Sequence, residues 1–121
     1  MSNPMSEQLK TSSKLVPAAR KEGDALVASI NGEIDLNNSP ELRSALLGLL
    51  ARSPVKKVVL NLAQVPYMDS SAVAVLVELL RKLNGGKIFL TDLQKRVQGL
   101  LEVAKLSTIF KIVPTEKEAL A

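Results

Sequence analysis

Residues 58–83 restrict the fold of this chain more than any other stretch, because a strand pattern changes there into a helix pattern. Residues 58–60 are a continuous apolar run that fits a strand buried on both faces, although periodicity alone also fits a buried helix. Pro66 interrupts any regular element. From Val73 onward, apolar residues recur at helical spacing, at positions 73, 76, 77, 80 and 83. The stretch therefore predicts a buried strand, a loop and a helix.

Asp69, Ser70 and Ser71 stand where this helix is predicted to begin. Asp and Ser are favoured there because their side-chain oxygens accept hydrogen bonds from unpaired backbone N–H groups. One interpretation is that they only cap the helix. The other is a functional site, because ligands of open α/β sheets bind beyond the carboxyl ends of the strands. Two adjacent hydroxyls exceed what one cap requires, and the helix dipole would stabilise a phosphate on either.

The composition excludes several kinds of active site. The chain contains no Cys and no His, which excludes disulfides, thiolate metal sites, Cys nucleophiles and a Ser–His–Asp triad. Gly85 and Gly86 are not part of a phosphate-binding loop, since Ile88 follows Lys87 where that motif requires Ser or Thr. The aspartates form no closely spaced cluster. We therefore expect no catalytic residue, no metal and no cofactor, and a protein that is not an enzyme.

Charge and hydropathy argue against nucleic-acid and membrane partners. Two Phe, one Tyr and no Trp leave few aromatic rings for base stacking, and the net charge of +4 comes from scattered residues. No apolar run approaches the membrane-spanning length of about 18 residues, and the polar N-terminus is not a secretory signal. We expect a cytoplasmic protein without direct nucleic-acid binding or membrane insertion. A monomer is favoured, and the oligomeric state is left open.

The order of the predicted elements indicates an α/β domain. Residues 1–13 are polar and are predicted to be a disordered lead, so the domain spans residues 14–121. The predicted order β-β-α-β-α-β-α-β-α implies a mostly parallel sheet of four to five strands with about four helices. The predicted strands are 14–20 (an edge strand, because of Pro17), 25–30, 55–62, 87–90 and 109–113; the helices begin at Ser39, Ser70, Thr91 and Pro114.

The segment Y-M-D-S-S-A-V-A-V-L, with G-G-K-I-F-L-T-D-L after the helix, resembles the STAS domain of bacterial anti-sigma factor antagonists, also called anti-anti-sigma factors. The resemblance covers nearly the whole chain from about Lys14. In that family a D-S-S-G or D-S-T-G motif opens a helix, and a partner serine kinase, the anti-sigma factor, phosphorylates its first hydroxyl residue. The resemblance thus implies that Ser70 is the phosphoacceptor, with Ser71 as second choice and Asp69 beside it.

The chain departs from the family pattern at Ala72, where the family usually has Gly. Ala is a good helix former, so the helix should persist. Whether the added methyl group hinders an approaching kinase is left open.

A second segment, N-G-E-I-D-L-N-N at residues 31–38, is similar to a G-E-[LI]-D segment that the family has beside its phosphoacceptor. The resemblance implies that Asp35 lies at the same end of the sheet as Ser70 and flanks the phosphorylation site. The alternative is an Asp that only forms a turn.

The helix after Ser70 is apolar on more than one face. Residues 73, 76, 77 and 80 suffice to cover the sheet, so Val75 and Leu79 are left on a flank shared with Glu78. An exposed apolar strip beside a modifiable serine suits protein docking, and we expect these three residues to bind a partner. The alternative is that Val75 and Leu79 pack under the third helix.

The resemblance implies an anti-sigma factor antagonist that works as a phosphorylation switch and so regulates transcription. Unmodified, the protein would dock the anti-sigma factor kinase and release the sigma factor; phosphorylated, it would not, and a phosphatase would reset it. An alternative within the family is a regulatory or structural STAS subunit of a transporter ATPase complex, for example in lipid transport. A small nucleotide-binding module is a third alternative, for which the sequence has no phosphate cradle.

Overall fold

Six strands form one sheet, and their order across the sheet is their order along the chain. β1 and β2 are antiparallel to their neighbours, whereas β3 to β6 are parallel. The predicted α/β class and mostly parallel sheet are therefore confirmed. The computed structural model describes residues 6–121, with strands β1 (Ser6–Leu9), β2 (Ala18–Glu22), β3 (Ala25–Asn31), β4 (Lys57–Gln64), β5 (Lys87–Thr91) and β6 (Lys111–Val113).

Each pair of adjacent parallel strands is joined through a helix. Such crossovers are almost always right-handed, so successive connections in one direction place their helices on the same face of the sheet. Accordingly, α1, α2 and α3 share one hydrophobic core with alternate residues of the strands, such as Leu26, Leu60 and Leu90. Among residues 6–121, no helix is long and apolar enough to cross a membrane. The helices are α1 (Ser39–Arg52), α2 (Ser70–Lys82), α3 (Lys95–Val103) and α4 (Glu116–Leu120), with a 3-10 turn at Leu106–Thr108.

The opposite face of the sheet is covered in part by the short helix α4. Ala119 packs there against Val59 of the central strand β4. Glu116 holds the helix in place: one carboxylate oxygen accepts from Arg20 Nη2 at 2.9 Å, and the other accepts from Asn61 Nδ2 at 2.7 Å. The first turn of α4 is thus tied to β2 and β4 at once.

The turn after α2 aligns that helix with the sheet. Asn84 and Gly85 have positive φ angles of 46° and 93°, the left-handed backbone that ends a helix. Lys56 Nζ donates to the Leu83 and Asn84 carbonyl oxygens at 3.1 and 2.9 Å, which neutralises the negative end of the helix. A side chain at Gly86 would overlap the Lys56 carbonyl, so this close approach requires glycine.

The prediction of a disordered N-terminal lead is wrong for Ser6–Leu9, which forms β1 along β2; the expectation for residues 1–5 lies outside the described residues. The strand expected at 14–20 begins at Ala18 instead, and β2 is internal because β1 occupies the edge. The sheet accordingly has six strands, more than predicted. The reason is that the polar sequence of β1 is held by pairing with a distant strand, which local patterns do not reveal.

One predicted helix start also needs correction. Thr91 is buried as the last residue of β5, and Asp92 has a φ of 57°, so α3 begins only at Lys95. The other start is confirmed: α1 begins at Ser39, with Asn38 at the N-cap position and Pro at one of the first two helical positions.

Candidate functional site

Two loops meet at the carboxyl end of the parallel strands. Ile34 N donates to the Tyr67 carbonyl and Asp69 N donates to the Ile34 carbonyl, each at 3.1 Å, which forms an isolated parallel bridge between Ile34 and Met68. The Ile34 and Met68 side chains are buried and anchor both loops to the core. The bridge therefore brings the loop after β3 beside the start of α2.

Asp69 is the N-cap of α2 and has an extended backbone. Its Oδ1 accepts a hydrogen bond from Ser71 N at 2.9 Å and another from the Ser71 hydroxyl. The Ser71 hydroxyl lowers the pKa of the Asp69 carboxyl below its usual value; partial desolvation opposes the shift, and backbone N–H groups, including that of Leu36, add to it. The cap is therefore a carboxylate at neutral pH.

Ser70 is the first residue of α2 and is exposed, whereas the neighbouring Ser71 is half-buried. Within residues 6–121 the Ser70 hydroxyl forms no hydrogen bond, in contrast to that of Ser71. The hydroxyl thus stands at the positive end of the helix dipole and is open to a second macromolecule. Its phosphorylation stays a prediction.

Asp35 lies one residue beyond the bridge, on the same side of the sheet as Ser70. Its Oδ1 accepts from Asn37 N at 2.8 Å, its own N–H donates to Asn38 Oδ1 at 2.9 Å, and its carbonyl accepts from Ser39 N at 2.8 Å. Asp35 therefore shapes the turn that leads into α1, as the structural alternative expected, and the neighbouring bridge holds this turn next to the start of α2. Any role toward a modified Ser70 remains a prediction.

Ala72 is fully buried, with no exposed surface, and it packs in the core shared by the three helices. Its methyl group therefore contacts the protein interior and not solvent. The departure from the family's usual Gly therefore leaves the outer surface of the motif unchanged.

The predicted docking strip on α2 is wrong for Val75 and Leu79, which are only 7% and 0% exposed. Glu78 is partly exposed, but Arg43 of α1 holds it through two hydrogen bonds, at 2.8 and 2.6 Å. The alternative, that Val75 and Leu79 pack under α3, is not supported either. The Arg43–Glu78 pair lies on the same side of α2 as these two residues and ties that side to α1. The buried residues of α2 and its C-terminal turn are Ala72, Val75, Leu76, Leu79 and Leu83.

The rotation of α2 has a physical reason. A helix that covers both a sheet and a neighbouring helix needs a broad apolar side, and several faces of this sequence could supply one. Of the residues chosen from spacing alone, Leu76 is buried as expected, whereas Val73, Val77 and Leu80 lie at the margins of the buried side and are partly buried. Contact with α1 decided which face turned inward.

Sequence reasoning missed the most exposed apolar residue beside the site. Leu36 is 77% exposed and follows Asp35 in the loop after β3. The sequence signal for Leu36 is its spacing from Ile34, because residues two apart in an extended segment point to the same side. That spacing would place both side chains in the core, yet only Ile34 is buried. The loop turns after Asp35 and directs Leu36 into solvent.

The outward side of α2 continues this surface. Ser70, Ala74, Val77 and Arg81 recur at helical spacing, and a shallow depression is lined by Ala74, Val77, Glu78, Arg81 and Lys82. We call the combined surface the switch face; it consists of Leu36, Ser70, Ala74, Val77 and Arg81.

The family model described as STAS domain matches residues 16–119. The chain belongs to the STAS domain family. The anti-sigma-B factor antagonist of Bacillus subtilis (strain 168) is a relative with 32% identity over 99 residues, which cover 80% of this STAS domain protein and 88% of the relative. The resemblance to anti-sigma factor antagonists is therefore confirmed.

Solved structures share the fold. An anti-sigma factor antagonist from Mycobacterium paratuberculosis superposes with a TM-score of 0.76 at 23% identity, over 99% of this STAS domain protein and 96% of that chain. The Bacillus cell fate determinant SpoIIAA, solved in its phosphorylated form, gives a TM-score of 0.60 at 21% identity, over 80% and 88%. At these identities the likeness establishes the STAS fold.

Proposed function

We propose that this STAS protein is an anti-sigma factor antagonist, acting in the cytoplasm, whose docking to an anti-sigma factor is switched off by phosphorylation of Ser70. The observation that carries the proposal is the exposed Ser70 hydroxyl at the first residue of α2, which is not engaged in the cap. The protein acts by binding and not by catalysis. This agrees with the relative from Bacillus subtilis, which is named as an antagonist of a factor.

The unmodified switch face has the features of a docking surface. Leu36 exposes an apolar side chain in the loop that the Ile34–Met68 bridge holds next to the start of α2, and the outward side of α2 adds Ala74 and Val77 next to the Arg81 side chain. Interfaces combine such apolar anchors with a charged rim. An anti-sigma factor that binds here would release the sigma factor it holds.

Phosphorylation changes this surface without unfolding it. A phosphate on Ser70 adds about −1.5 to −2 charges, and the N-terminus of α2 tolerates them. The new charge joins the carboxylates of Asp35 and Asp69 and lies beside the apolar Leu36. A partner that fits the neutral surface then has to desolvate a phosphate, and a difference of about 3 kcal/mol changes occupancy by roughly two orders of magnitude.

The anti-sigma factor itself is the serine kinase in this proposal, and a phosphatase restores the unmodified state. The phosphorylated form of SpoIIAA, a protein of the same fold, supports a phosphorylated state for this chain. Because Ser70 is exposed, a phosphate on it can be accommodated without a change of the fold that this chain shares with SpoIIAA.

Incubation with an anti-sigma factor kinase and ATP, followed by mass spectrometry, tests the proposal. We expect phosphate on Ser70 of the wild type and none on that peptide in Ser70→Ala. Binding of the kinase to Ser70→Asp should be at least about tenfold weaker than to the wild type, whereas Ser107→Asp, an exposed serine in the 3-10 turn, serves as the control. Wild-type protein without phosphate on Ser70, or unchanged affinity of Ser70→Asp, would contradict the proposal.

A further inference from the structure

The two hydroxyl groups at the start of α2 are held differently. Asp69 Oδ1 accepts hydrogen bonds from both the N–H and the hydroxyl of Ser71. One carboxylate thus fixes the backbone and the side chain of Ser71, which is half-buried, and leaves the exposed hydroxyl of Ser70 free. Adjacent serines of the same chemistry therefore differ in their access to an incoming phosphoryl group.

We propose that Asp69 is a specificity-determining residue that directs phosphorylation to Ser70 by holding the hydroxyl of Ser71. This inference rests on the function proposed above, since it needs a kinase that acts on this motif. Asp69 is a positioning residue in this scheme, because it acts through Ser71 and touches neither ATP nor the reacting phosphorus.

Phosphoryl transfer from ATP requires a free hydroxyl oxygen, and the hydrogen bond from the Ser71 hydroxyl to Asp69 Oδ1 restrains that oxygen in Ser71. The acceptor Oγ attacks the γ-phosphorus of ATP; the Oγ–P bond forms, and the bond from that phosphorus to the oxygen shared with the β-phosphate breaks. ADP leaves with the electron pair, and the hydroxyl proton passes to the kinase or to solvent. Ser71 Oγ has to turn away from Asp69 Oδ1 before it can line up for this attack, whereas Ser70 Oγ is already oriented to solvent.

A carboxylate beside a hydroxyl can also act as a general base and activate it. The geometry here favours holding. The same Asp69 oxygen caps the helix through the Ser71 N–H, so taking up a proton there would weaken the cap. The lowered pKa of the Asp69 carboxyl, caused first by the Ser71 hydroxyl, also makes it a weaker base.

The test compares Ser70→Ala with the double variant Asp69→Ala/Ser70→Ala. Each full-length protein is incubated with the anti-sigma factor kinase and ATP, and phosphate on Ser71 is quantified by mass spectrometry. We expect little phosphate on Ser71 in the single variant and at least about a tenfold increase in the double variant. Asp69→Asn/Ser70→Ala retains an amide oxygen that can cap the helix, and it should give an intermediate level.

The outcomes separate this inference from the function it rests on. Wild type without phosphate on either serine would overturn the proposed function and this inference with it. Phosphate on Ser70 of the wild type, combined with equal Ser71 phosphorylation in the single and double variants, would overturn this inference alone. A fall in Ser71 phosphorylation on loss of Asp69 would mean that the carboxylate activates the hydroxyl, which also overturns it. If circular dichroism shows that Asp69→Ala/Ser70→Ala loses helix, the comparison of Ser70→Ala with Asp69→Asn/Ser70→Ala replaces it.

Discussion

Because the Ala72 methyl group is buried, we expect Ala72→Gly to lower the stability of the protein without changing how a kinase recognises Ser70. Ala72 has no exposed surface and is the third residue of α2. Removal of one buried methyl group costs about 0.8 kcal/mol, and Gly in place of Ala in a helix costs about 0.5–1 kcal/mol. We therefore expect the free energy of unfolding to fall by about 1.3–1.8 kcal/mol.

Urea unfolding followed by circular dichroism measures this loss, and a phosphorylation assay measures recognition. Ala74→Gly is the matched control for stability, because Ala74 is exposed in the same helix and its substitution should cost only the helix term of about 0.5–1 kcal/mol. We expect the initial rate of Ser70 phosphorylation in Ala72→Gly to stay within about twofold of wild type, because the methyl group does not reach the surface.

Two results would refute this reasoning. An unfolding free energy of Ala72→Gly equal to that of wild type would mean that the methyl group is not packed as described. A phosphorylation rate raised by about tenfold at unchanged stability would mean that the kinase does meet this position.

Two further substitutions test the switch face and the attachment of α4. Leu36→Ala should weaken binding of the anti-sigma factor by about 5- to 30-fold and change stability by less than about 0.5 kcal/mol, while Val103→Ala, 86% exposed at the end of α3, should change neither in calorimetric titration and urea unfolding. Equal effects of both substitutions would argue against a specific role for Leu36. Glu116→Gln should lower the unfolding free energy by about 1 kcal/mol at pH 7, because it weakens a largely buried pair with Arg20. Burial opposes the shift, but the hydrogen bonds from Asn61 and Arg20 lower the Glu116 pKa below 4.5. The stabilisation by ionised Glu116 is therefore present above pH 4.5 and disappears as the pH falls through the lowered pKa. A stability difference between wild type and Glu116→Gln that persists in acid would contradict this.

Local interactions explain what could be predicted around the site. Pro66 and Asp69 act on their immediate neighbours, so the end of the strand region and the start of α2 at Ser70 followed from the sequence. The placement of Asp35 beside Asp69 needed more, because it depends on a bridge between residues 34 apart, Ile34 and Met68. The family resemblance implied that proximity, and the geometry supplied its cause.

The errors arose where a residue's environment comes from distant parts of the chain. β1 has a polar sequence and is a strand only because β2 lies beside it. Val75 and Leu79 were expected at the surface, yet the packing of α2 beside α1 turned them inward and left Val77 at the margin.

The sequence by itself determined the α/β class, the helix that begins at Ser70, and the absence of Cys and His chemistry, because these follow from composition and from interactions between near neighbours. Only the tertiary structure decided which face of α2 is buried, that Leu36 is exposed, and that Asp69 engages Ser71 and leaves Ser70 free. Rotation about a helix axis and the direction of a loop side chain depend on what packs against them, and that information is not contained in any short stretch of sequence.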